Sequence, residues 1–115
     1  MPRLPDVEPD AFFALEMRVG RVTQVDEFPE ARKPAWKLTV DFGPDIGTLR
    51  TSAQVTNYGR DELVGRLVVG AVNLGPKRIA GFTSQFLVLG AISESDGSVH
   101  LLELPVAVEP GWRIA

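Results

Sequence analysis

A chain of 115 residues that is 44% hydrophobic and 23% charged has the balance of one folded domain with one core. Its formal net charge of −3 argues against indiscriminate nucleic-acid binding through a uniformly basic surface. Cysteine is absent, which excludes disulfides, thiolate catalysis and cysteine-held metals. No apolar run approaches the roughly 20 residues of a membrane span, and no secretory signal pattern opens the chain. A cytoplasmic protein without membrane insertion is expected.

Residues 1–10 read as a loose leader and residues 11–115 as the domain. A short helix is expected from Pro9 to Leu15, with Pro9 in the first turn and Asp10 at the positive end of the helix dipole. A strand is expected from Val19 to Val25, then a loop from Phe28 to Pro34. Ala35 to Phe42 has the clearest strand pattern. Trp36, Leu38, Val40 and Phe42 alternate with Ala35, Lys37, Thr39 and Asp41, so the first four should share a buried face. Gly43 to Gly47 is a turn, and Thr48 to Val55 is the hairpin partner. A short helix follows, with Gly59 as cap, Glu62 at the third helical position and Gly65 ending it in a left-handed conformation. Leu67 to Leu74 and Phe86 to Ile92 are apolar enough to need cover on both faces. Ser95 to Ser98 is a tight turn, and His100–Leu104 and Ala107–Ile114 would be closing strands.

Many short strands, Gly and Pro turns, and one short helix between the third and fourth strands point to an all-β, five-stranded Greek-key barrel. The oligonucleotide/oligosaccharide-binding fold (OB-fold) has this plan. An SH3-like barrel reads much the same.

The segment from Asn73 to Ser84 stands out. It places an amide, the cations Lys77 and Arg78, and a hydroxyl in a turn-rich loop between two apolar runs. From Leu63 to Ser93 there is no Asp or Glu, while Arg66, Lys77 and Arg78 are present. Arg32 and Lys33 form a second cationic pair in a proline-bounded loop, where binding residues concentrate. Arginine and lysine there suit charge-assisted hydrogen bonds to phosphate or carboxylate. An aromatic ladder for base stacking is missing. Phe82 and Tyr58 are the nearest candidates, and Phe82 suits the core equally well.

Catalytic signals are weak. The single histidine, His100, lies beside Val99 and Leu101 and fits a strand better than a metal site. Asp61 and Glu62 open a helix, where dipole complementation explains them. No phosphate loop or nucleophile elbow occurs, and Ser84 has no evident base. The expectation is a non-enzymatic protein with no cofactor and no metal. Trp112, near the end of the chain, and the doubly apolar strands suggest a twofold dimer that covers them.

Several blocks carry a resemblance. They are Arg18–Val22, Phe28–Ala35, Asp41–Gly43, Ser52–Thr56, Gly65-Arg66, Asn73–Ser84 and Val88–Gly90. Together they resemble the CsaA family of export-related chaperones, within the wider group of tRNA-binding domains, over about residues 11–115. The resemblance implies an OB-fold barrel whose N-terminal helix and C-terminal strands build a homodimer, with Phe12, Phe13, Trp112 and Ile114 at the interface. It implies an ATP-independent chaperone that holds unfolded or precursor polypeptides for export. The wider group implies contact with structured tRNA. Arg32, Lys33, Gln54, Asn73, Lys77, Arg78, Phe82 and Ser84 are the RNA- or client-binding candidates. After Ser84 the tRNA-binding pattern has a small residue and then methionine. Here Gln85, Phe86 and Leu87 follow, as in the chaperone branch.

Overall fold

The structure, a computed structural model, describes residues 1–115. In chain order the elements are α1 (Pro9–Phe13), β1 (Met17–Glu27), β2 (Trp36–Asp41), β3 (Thr48–Ala53), α2 (Arg60–Leu63), β4 (Leu67–Ala71), β5 (Lys77–Ile79), β6 (Phe82–Ser84), β7 (Leu87–Val88), β8 (Gly90–Ile92) and β9 (Val99–Leu101). Five strands form one sheet in the order β3-β2-β1-β4-β7, and every pairing is antiparallel. The sheet curls into a nearly closed barrel of the expected OB-fold class. Within β1 the register shifts between Val22 and Gln24. The extra residue, Thr23, bends the strand so that its two halves serve different neighbours, β4 on one side and β2 on the other.

The barrel interior follows from the alternation in β2. Leu38, Val40 and Phe42 are fully buried and Trp36 partly so, packed with Val22, Val25, Val55, Leu63 and Val68. Phe42 meets Phe86 edge to face at 4.9 Å between centroids. Two glycines give these rings room. A Cβ on Gly70 would lie 2.7 Å from Phe42 Cζ and 2.9 Å from a Phe86 ring carbon, and a Cβ on Gly20 would strike Val40 and Phe42.

The barrel seam is closed partly by a side chain. The Arg50 N–H donates to Gln85 Oε1 at 2.9 Å, and the Gln85 N–H donates to the Arg50 carbonyl at 2.8 Å. Thr51 Oγ1 donates to the Phe86 carbonyl at 2.6 Å. Gln85 and Phe86, the residues at which the chain leaves the tRNA-binding pattern, therefore fasten the seam and fill the core.

Beneath this frame α2 forms as expected. The Glu62 carboxylate accepts the Gly59 N–H at 2.8 Å, and Gly65 turns the chain at a φ of 87°.

Four expectations need correction. Helix α1 stops at Phe13, two residues early, and buries none of its residues. The Phe86–Ile92 run is not one strand, because it splits at Leu89 into β7 and β8. Ala107–Ile114 is not a strand. Pro110 lacks the N–H a ladder needs, and Gly111 takes a φ of 96°, so the segment turns. It still docks on β1, with Val19 N–H donating to the Trp112 carbonyl and Ile114 N–H to the Met17 carbonyl, both at 2.9 Å. Finally, the second face of the apolar β4 strand needs no partner molecule for cover. Met17, Val69 and Ala71 form a patch there, and Leu15, Leu89, Leu104 and Ile114 of the same chain pack on it.

No helix is long and apolar enough to cross a membrane.

Candidate functional site

The segment expected to be a loop contains a hairpin. Strands β5 and β6 pair through Lys77↔Ser84, Arg78↔Thr83 and Ile79↔Phe82. The two-residue connection Ala80-Gly81 has φ values of 47° and 82°, both positive. That is the dihedral signature of a tight turn matched to strand twist, and Gly81 supplies half of it at no steric cost. A sequence signal for it exists in retrospect: an alanine-glycine pair between two short runs containing Ile79, Phe82 and Thr83.

The hairpin lies against β3 and creates a concave space on each flank. One cavity of about 480 Å³ is lined by Arg32, Lys33, Gln54, Ala31 and Ile79 among others. Its neighbour, about 470 Å³, includes Lys77, Ser84, Leu74, Pro76 and Leu87. Ser52 and Ile79 line both. Five residues far apart in sequence (Arg32, Lys33, Gln54, Lys77 and Ser84) are thus brought to adjoining cavities. Arg32 and Lys33 edge the first cavity and Lys77 the second, and both have aliphatic carbon in their lining.

Three of the candidates make contacts within the fold: Ser84 and Phe82 are buried, and Asn73 is exposed with its amide engaged at both ends. Asn73 Oδ1 accepts the Glu16 N–H and its Nδ2 donates to the Ala14 carbonyl, both at 2.8 Å. Its amide therefore fixes the chain between α1 and β1. Ser84 is buried, with its hydroxyl 2.8 Å from Thr51 Oγ1. Phe82 is buried with Phe28 and Ala35, and its ring meets Phe28 at 5.5 Å. Arg78 reaches its own hairpin partner, with Nη1 donating to Thr83 Oγ1 at 3.0 Å, and it lines neither cavity.

Two cations that sequence reasoning missed cover Phe82. Lys37 Nζ sits 4.8 Å from the Phe28 ring centre and 5.3 Å from that of Phe82, and the Arg50 guanidinium lies 4.9 Å from the Phe82 ring. Lys37 was readable only as the polar half of β2's alternation, and Arg50 as that of β3. The other stacking candidate, Tyr58, is also occupied. Its hydroxyl accepts the Leu101 N–H at 3.0 Å and Arg66 lies over its ring at 5.1 Å.

At the opposite terminal region, Phe12 and Phe13 meet edge to face at 5.4 Å and are 44% and 63% exposed. With Leu15 and Ile114 they line a cavity of about 240 Å³. Trp112 is 51% exposed and does not line it. No group of three or more His, Asp or Glu side chains is placed to hold a metal ion.

An antiparallel barrel carrying a basic hairpin at its flank defines a binding module, and the comparisons agree. Residues 17–113 match the family described as a putative tRNA binding domain, and the chain belongs to that family. Within it, the chain is similar to the CsaA chaperone protein from Picrophilus torridus. The identity is 44%, the TM-score is 0.89, and 96% of this chain and 100% of that one are covered. It is similar as well to the chaperone CsaA from Bacillus anthracis, at 41% identity, with the same TM-score and the same coverage. Among curated relatives it is 33% identical to methionine–tRNA ligase 1 of Sorangium cellulosum over 113 residues. That match takes in 98% of this chain but only 16% of the ligase.

Proposed function

We propose that the protein is an ATP-independent chaperone that holds extended, mainly apolar polypeptide segments along the hairpin flanks. The single observation behind this reading is the pair of adjoining cavities that share Ser52 and Ile79. An extended segment can seat alternate side chains in such cavities, with apolar burial contributing roughly 25 cal/mol per Å² and the edge cations meeting client carbonyls or carboxylates. Arg32, Lys33, Gln54 and Lys77 are the proposed contacts. The full-length likeness to two CsaA chaperones supports the reading, as does the internal engagement of both Phe82 and Tyr58, which leaves neither ring free for base stacking. In this reading the protein works in the cytoplasm on unfolded or precursor chains bound for export. It is a homodimer joined through the exposed rings of Phe12 and Phe13, with Ile114 and Trp112, and it makes no chemical bonds of its own.

The test is suppression of aggregation of a chemically denatured substrate, without nucleotide. Suppression at a few equivalents is expected, and its absence at large excess overturns the reading. Sedimentation at micromolar concentration should give a dimer.

One observation favours a second reading, the binding of structured tRNA. The hairpin and its surroundings present Lys77, Arg78, Arg32 and Lys33, none of them ion-paired. Shape-directed RNA contact needs phosphates and 2′-hydroxyls more than stacked bases. If it operates, the paired replacement Lys77→Ala/Arg78→Ala lowers the salt slope of tRNA affinity by roughly two. An unchanged slope removes it. The same replacement should weaken client holding far less than tRNA binding, because it removes one proposed cationic contact, Lys77, and leaves the aliphatic cavity lining in place.

A further inference from the structure

A third concave site shares no lining residue with the hairpin cavities. It measures about 340 Å³ and is lined by Arg21, Gly65, Arg66, Leu67, Glu103, Leu104 and Val106. Two arginines line this one space, yet neither is ion-paired to any carboxylate of the chain. Both are held in place. Arg21 Nη1 donates to the Gly65 carbonyl at 2.8 Å, which leaves its other N–H groups free. Arg66 lies over the Tyr58 ring at 5.1 Å, and its Nε is buried with no partner. The backbone beneath them is clamped. Gly65 N–H donates to the Val22 carbonyl at 2.7 Å, and Val22 N–H to the Arg66 carbonyl at 2.9 Å.

We propose that this cavity binds a carboxylate carried on a short aliphatic chain. The forked donors of a guanidinium match a carboxylate bidentately, and Arg21 keeps N–H groups beyond its bond to the Gly65 carbonyl for such a partner. Two arginines against Glu103 leave one net positive charge, which suits a monoanion better than a phosphate dianion. Leu67, Leu104 and Val106 supply apolar cover for the chain behind the headgroup, and Val106, almost fully exposed at 97%, gains most from being covered. The same chemistry is offered by a free aliphatic acid and by the C-terminal residue of a polypeptide.

The experiment is a backbone-amide NMR titration of the full chain with sodium hexanoate, with hexanamide as the uncharged control. Hexanoate moves the Gly65, Leu67 and Leu104 amides saturably and hexanamide does not. Arg21→Ala and Arg66→Lys each weaken binding about tenfold, and Glu103→Gln strengthens it about threefold. A short peptide ending in leucine, as free acid and as amide, separates the sources. Tighter binding of the peptide acid than of hexanoate at these amides assigns a chain terminus, and weaker binding assigns the free acid. No saturable shift, equal response to hexanamide, stronger binding of inorganic phosphate, or full affinity in Arg21→Ala overturns the proposal. The variants leave the hairpin cavities untouched, so holding of a client whose C-terminus is amidated is unaffected whichever way the titration falls.

Discussion

The two halves of the barrel's outer surface are finished differently. Outside β1 and β4 the apolar patch of Met17, Val69 and Ala71 is sealed by Leu15, Leu89, Leu104 and Ile114 from the two terminal segments and the β7–β8 junction. Outside β2 and β3 the cover is the β5–β6 hairpin. It seals only the small cluster of Phe28, Ala35 and Phe82 and leaves a cavity on either side. On the first side the patch itself is closed by the chain's own residues and serves stability. On the hairpin side aliphatic surface stays accessible in two adjoining cavities edged by Arg32, Lys33 and Lys77, where the proposed client contacts lie.

Substitutions can break or sharpen this contrast. Met17→Ala, on the sealed half, removes a side chain that is 7% exposed and should cost about 2–4 kcal/mol in denaturant unfolding. Next in size, Asn73→Ala removes two hydrogen bonds that tie the α1–β1 junction to the end of β4, for a loss of about 1–2 kcal/mol. Client binding should be unchanged by it, and a selective loss of binding with stability intact would return Asn73 to the contact surface. Ile79→Ala, on the open half, should cost only about 1 kcal/mol because the residue is half-buried. It should nonetheless impair client holding more than either of the others, since Ile79 lines both cavities. Equal stability losses at Met17 and Ile79 would erase the contrast.

The smallest effect lies away from both halves, in the Ser93–Ser98 turn. The Ser98 hydroxyl and N–H, with Ser93, hold the Asp96 carboxyl below its ordinary value of 3.8. A lowered value means the charged form favours the turn. That preference is present above the ordinary value and is lost as pH falls through the lowered one. Following the Asp96 carboxyl by NMR should show Ser98→Ala moving its titration upward.

What could be read in the sequence was local. Period-2 alternation from Trp36 to Phe42 gave a strand and its inner face, and Gly59, Glu62 and Gly65 gave both ends of α2, because each signal is complete within a few residues. What could not be read was contact at long range. The engagement of the Asn73 amide could not be read, because nothing near it in sequence shows Ala14 and Glu16 arriving at its two ends. Phe82 could belong to the core or the surface until Lys37 and Arg50, from two other strands, were seen to cover it. The doubly apolar β4 run correctly demanded two covers, but periodicity does not say whether the second comes from the same chain. The site was half legible. Arg32, Lys33, Gln54 and Lys77 do converge, but the hairpin beside them has strands of only three residues, too short for alternation to mark them in a turn-rich segment.

The tight fit of Phe42 against Gly20 and Gly70 has an evolutionary corollary. Three positions, one on β1, one on β4 and one just past the end of β2, amount to one volume decision, so they should change in concert: a smaller residue at 42 in one lineage, a methyl or more at 20 or 70 beside it. An enlargement at either glycine without that trade would leave the aromatic ring nowhere to go.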